Sequence, residues 1–156
     1  MGSGSSVFIS MLRDDTAARP KRWLCLLYDQ LNLDLNPWKD EPPELTGIIL
    51  IESLSKGKSR PYHKQKLGLI LSNMRSFALE SQSKGHPVKY IGTNSNYSEA
   101  LLELNIPLIH CLKPAELSTR KELQTLFDSG KLQQHPHTGW LTPKNWFVEE
   151  LGLKPP

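Results

Sequence analysis

The chain has 156 residues, 38% hydrophobic and 22% charged, enough to close one core and too few for separate cofactor and substrate domains. No apolar run approaches the roughly eighteen residues of a helical membrane span. Two cysteines cannot build a disulfide framework or a four-thiolate metal site, so a reducing, cytoplasmic setting is expected. The net charge of +3 is small and local.

Residues 1–20 open with MGSGSS, which has the form of a myristoylation signal and equally of a flexible leader; Met11 is a second candidate start. The apolar stretch 7–12 is too short for a signal peptide. Residues 1–20 are therefore set aside as a flexible leader, and 21–156 are read as one domain. Residues 23–28 (WLCLLY) form a continuous apolar run, the pattern of a strand buried on both faces. Asn36-Pro37 and Pro42-Pro43 mark a loop, and 47–53 (GIILIES) a second buried strand.

A basic loop follows at 55–66, with Lys56, Lys58, Arg60, Lys64 and Lys66 and no acid; without those five the chain's +3 becomes −2. Such a patch suits phosphate or nucleic acid, or is simply solvated. Residues 63–84 place Leu67, Ile70, Leu71, Met74, Phe77 and Ala78 at spacings of three and four, which predicts an amphipathic helix stopped by Gly85. Strands are predicted at 87–93, 106–112 and 132–135. Helices are predicted after a cap at Asn96 or Ser98, over 116–129 and over 145–151. Strands alternating with helical crossovers give the fold class: α/β, doubly wound, a mostly parallel five-stranded sheet with helices on both faces.

Ligands of such sheets bind beyond the carboxyl ends of the strands, at the switch in strand order. That rule nominates Asp29 and Gln30 after the first strand and Glu52 and Ser53 after the second. Thr93 and Asn94 follow the third, Lys113 and Glu116 the fourth. Each is also a residue type that caps helices or ties loops. Gly57-Lys58-Ser59 mimics the end of a phosphate loop. The glycine that motif needs five residues earlier is Glu52, whose charge would repel phosphate. His135 and His137 lack a third ligand at metal spacing. Cys25 and Cys111 sit inside strands, where a thiol behaves as a small hydrophobe. No pairing of nucleophile and base is visible, so the residues alone describe a binding scaffold.

Asp29-Gln30-Leu31 after one strand, Glu52 after the next, Tyr62-His63-Lys64-x-Lys66, and Ser72-x-Met74-Arg75-x-Phe77 on the long helix resemble the prokaryotic photolyase-related proteins of the cryptochrome/photolyase superfamily. Lys113-Pro114-Ala115-Glu116 and the Gly139-Trp140-Leu141-Thr142 … Phe147 segment fit as well, so the resemblance runs from Trp23 to the end. In that family the first loop usually reads Gly-Asp-Gln-Leu. Here Tyr28 replaces the glycine, and Lys56 stands where an acid is common.

The resemblance implies the N-terminal α/β domain, which can hold a lumazine-type antenna chromophore. A long helical domain with FAD, an iron–sulfur cluster and the damaged-DNA site follows it in relatives. FAD and the cluster are not expected on this chain. The implied function is a photolyase-related domain that binds an antenna-type or nucleotide-like ligand and is not competent for DNA repair alone. Its partner would be a flavin-bearing helical domain or protein. The alternative is a stand-alone interaction module, its ligand site decayed, that contacts protein or nucleic acid. No membrane association is expected.

Overall fold

The computed structural model describes residues 4–12 and 19–139, together with 146, 150 and 152. Five strands form one sheet: β1 (Arg22–Cys25), β2 (Thr46–Ser53), β3 (Val88–Thr93), β4 (Ile109–Leu112) and β5 (Leu132–His135). The strand order is β3-β2-β1-β4-β5 and every pairing is parallel. The chain moves outward from β1 to β3, then crosses back to β4. The order therefore reverses between β1 and β4, and that is the switch point.

Both faces of the sheet are covered at its centre, which is why β1 and β2 read as apolar runs. Cys25, Ile49, Ile51, Ile109 and Cys111 point to one side, against α4 (Tyr97–Leu102) and α5 (Leu117–Asp128). Leu24, Leu26, Ile48, Leu50 and Leu112 point to the other, against Phe77 and Ala78 of α3 (Lys64–Ser83). On that second side the loop after β1 adds Leu31, Leu33, Leu35 and Trp38 over the inner strands. The fold is a doubly wound α/β sheet. Among the described residues, no helix is long and apolar enough to cross a membrane.

Local signals set the ends of these elements. His63 caps α3, its ring accepting from the Gln65 N–H at 3.3 Å. Gly85, at φ 96°, ends the helix in a left-handed turn that a side chain would resist. Trp23 lies in register with Gly47, where an added Cβ would come within 2.4 Å of the indole.

Four boundaries differ from the sequence reading, the first being that β1 ends at Cys25 rather than at residue 28. The leader contains a helix, α1 (Gly4–Met11), because Phe8 finds a buried seat edge-on to Tyr90, with ring centroids 4.7 Å apart. The basic stretch is helical at its start: Ser53 caps α2 (Leu54–Lys58) by accepting from the Lys56 N–H at 3.0 Å. The fourth strand begins at Ile109 rather than 106, since Pro107 has no N–H to give the ladder. The helix predicted over 145–151, with its Thr142-Pro143 start, lies outside the described residues, as does Trp140.

Candidate functional site

The switch point is occupied by the chain's own side chains. Tyr28 leaves β1, Lys56 comes from α2, and Glu116 stands just before α5. The Tyr28 hydroxyl donates to Glu116 Oε1 at 2.6 Å, and Lys56 Nζ pairs with Glu116 Oε2. Lys56 also reaches Thr119 Oγ1 at 3.3 Å, and the Ser118 and Thr119 hydroxyls lie 3.3 Å from Glu116 Oε2. The Lys56 ammonium, then the Tyr28 hydroxyl, hold the Glu116 carboxyl down at about 2. Burial, reinforced by the carboxylate, pushes the Tyr28 phenol up. These three residues clasp β1, α2 and α5 together across the crevice.

A second knot lies at the end of β2. The Arg75 guanidinium of α3 donates to both oxygens of Glu52, Nη2 at 2.9 and 3.0 Å and Nε at 3.3 Å, and Tyr90 Oη donates to Oε2 at 2.7 Å. Between the two knots, roofed by α2 and the first half of α3, is a cavity of about 80 Å³. Ile51, Leu67, Ile70, Leu71 and Met74 supply its apolar wall. The rings of Tyr28, Tyr62 and Tyr97 line it too, and Glu52, Ser53, Lys56 and Lys66 are its polar edge.

The nominated residues divide on this geometry. Glu52, Ser53, Lys56 and Lys66 line the cavity; Glu116 closes it from one side through Lys56 and Tyr28. Gln30 is 1% exposed and turned inward: its Oε1 accepts from the Leu27 N–H and its Nε2 donates to the Lys113 carbonyl, both at 3.2 Å. It ties the loop after β1 to the loop after β4. Leu31 packs on the core. Asp29 is exposed in the turn, its carboxyl raised chiefly by desolvation. Lys113 directs its side chain to solvent while its N–H bonds the His135 carbonyl at 2.8 Å. Ser53, besides capping α2, donates to the Ser95 carbonyl at 2.7 Å. Thr93 accepts from the Ser95 N–H at 3.0 Å.

Lys56 therefore leaves the basic patch, which is Lys58, Arg60, Lys64 and Lys66, all exposed. Arg75, Tyr90, Tyr62 and Tyr97 were not nominated from sequence. Tyr62 and Arg75 do stand in the motifs that carry the family resemblance, while the half-buried front of α3 (Leu67, Ile70, Leu71) reads as ordinary core stripe.

Other chemistry is sparse. His135 pairs with His110, ring nitrogens 3.0 Å apart under the edge of Trp38. Among the described residues, no group of three or more His, Cys, Asp or Glu is placed to hold a metal. Cys25 and Cys111 are register partners on adjacent strands, both buried and free. Burial pushes the Cys25 thiol up to about 12 and the Cys111 thiol up as well.

A family model described as deoxyribodipyrimidine photo-lyase-related protein matches residues 24–154, most of the chain. The chain belongs to that family. No curated protein matches it by sequence. The matched span begins inside β1 of this photolyase-related domain and takes in β2–β5, both knots and the cavity. An antenna chromophore fits the cavity in chemistry, since aromatic rings and aliphatic side chains surround it. It does not fit in size as the site stands. Sites for ligands of that size hold roughly 300–1,000 Å³, so α2 and the front of α3 must swing outward to admit a fused ring.

Proposed function

We propose that this photolyase-related domain binds a flat aromatic ligand of the lumazine antenna class at the carboxyl ends of β1 and β2. The observation that carries the reading is the three-tyrosine, aliphatic-walled cavity at that edge of the sheet. Such a ligand supplies light capture. The residues here supply the rest: the tyrosine rings and Leu67, Ile70 and Leu71 sandwich it, and Ser53 and Lys56 set its orientation. The α2–α3 flap excludes water. Repair chemistry belongs to a flavin-bearing helical domain or partner, and the setting is the reducing cytoplasm, where two unpaired buried thiols are stable.

The flap is the natural moving part, because α2 has only five residues and the connection 59–61 behind it is exposed. A second reading draws on the clasp: Tyr28, Lys56 and Glu116 fill the crevice, as in an interaction module whose ligand site has closed for good. Fluorescence titration with ribityllumazine separates the two. Saturable binding in the micromolar range, lost in Leu71→Trp with its circular dichroism intact, supports the ligand site. No saturation with either the wild type or Glu116→Gln, whose clasp is loosened, overturns it in favour of the module.

A further inference from the structure

From Ser53 to Leu79 the chain carries six cations and no acid. Two are neutralised inside the fold, Lys56 by Glu116 and Arg75 by Glu52. Lys58, Arg60, Lys64 and Lys66 are exposed and form no ion pair among the described residues. Lys66 is part of the cavity lining, and the others flank lining residues in sequence: Lys58 follows Gly57, and Arg60 and Lys64 bracket Tyr62. Lys66 holds its ammonium 5.6 Å from the Tyr62 ring centroid, at the entrance.

Helix stability does not account for the arrangement, because Lys64 and Lys66 fall in the first turn of α3, where cations oppose the helix dipole. The two carboxylates nearest the cavity, Glu52 and Glu116, are each already paired with a cation, so the field at the mouth is positive. Asp29, exposed in the turn after β1, and Glu122, which accepts from the N–H of the lining residue Tyr97 at 2.7 Å, are further acids on this edge.

We infer that the ligand carries a dianionic tail, a phosphate monoester, held at the mouth by Lys58, Arg60, Lys64 and Lys66 while its ring enters the cavity. The inference rests on the aromatic-ligand reading above and adds its substrate class: the phosphorylated, nucleotide-like form rather than the free alcohol. A small phosphate suits the patch better than a nucleic-acid backbone. The patch's four exposed cations all fall between residues 58 and 66, a compact cluster beside one cavity, whereas tight nucleic-acid binding draws on many phosphate contacts along a polyanion.

The test uses two probes with one ring, riboflavin and its 5′-phosphate, titrated against the full chain. The phosphate is expected to bind about tenfold or more tightly, the scale of one charge-assisted contact. That advantage should shrink as salt is raised. It should disappear in Lys58→Gln/Arg60→Gln/Lys64→Gln/Lys66→Gln, which alters only exposed side chains. The pair Lys58→Gln/Arg60→Gln, which leaves α3 untouched, should lose part of it. Equal affinity for both probes overturns the phosphate assignment and leaves the aromatic site standing. Binding of neither overturns both. Displacement of the bound 5′-phosphate by duplex DNA at equal or lower phosphate concentration overturns the assignment in favour of nucleic acid.

Discussion

Replacing Glu116 with glutamine keeps the shape of the side chain and an oxygen for the Tyr28 hydroxyl, and removes the charge that holds Lys56. With its carboxyl at about 2 in the fold against an ordinary 4.5, the ionised form contributes at most about 3 kcal/mol. The pair is not fully enclosed, Lys56 being 17% and Glu116 28% exposed, and solvent screening lowers the expected loss to about 1–2 kcal/mol. For a chain of this length that is a fall in Tm of about 3–6 °C at neutral pH.

The pH dependence has a definite sign. A carboxyl lowered by folding stabilises fully above its unfolded pKa of 4.5, and that stability drains as pH falls toward about 2. By pH 4, about 0.7 kcal/mol of the gap between wild type and Glu116→Gln should be gone. Urea unfolding of both proteins at pH 7 and pH 4 measures it, and other carboxylates cancel in the difference. Equal stability at pH 7, or a gap that is the same at both pH values, would refute the clasp.

Arg75→Gln leaves the Glu52 carboxylate and Tyr90 without their cation and should cost about 1–3 kcal/mol, read as a lower urea midpoint with unchanged slope. Phe8→Ala should cost about 1.5–3 kcal/mol and free α1 for rapid amide exchange, while β1–β5 stay protected. Cys25 and Cys111 should resist a thiol-specific disulfide reagent in the native protein at pH 8 and react only at the rate of unfolding; fast labelling would contradict their burial.

The sheet and its long helix were legible because their periodicities are local. The run from Trp23 alternates between two covered faces, and Leu67 through Ala78 repeats at helical spacing. What escaped is what depends on distance along the chain. Nothing in GSSVFISM distinguishes a helix from a leader; Phe8 is fixed by Tyr90, far along the chain, and by α3. Ser53 looked like a ligand-edge residue and is also a cap, since a five-residue helix is too short for periodicity to register.

At the site, sequence could rank Glu52 and Glu116 as strand-end polar residues. It could not see that Arg75 and Lys56 would neutralise them, because the Lys56–Glu116 partners lie sixty residues apart. Counting charge in one stretch treated five cations alike, whereas the fold draws Lys56 inward and leaves the others outside. Tyr28 was visible as a departure from the family's first loop. Its hydroxyl bond to Glu116 gives that departure a structural role.

The contact between Trp23 and Gly47 bears on how the sheet assembles. The indole lies where any Cβ on its partner residue would collide, and Lys89 of β3 holds its ammonium 4.9 Å from the same ring. Slipping β2 by one residue toward its carboxyl end would put Thr46 beneath the ring, and slipping it the other way would put Ile48 there. A parallel pair has no hairpin turn to set its alignment, so misregistered pairings are the usual hazard of its folding. Here one bulky residue and one absent side chain admit a single alignment of the first two strands. They fix the edge on which both knots and the cavity are later built.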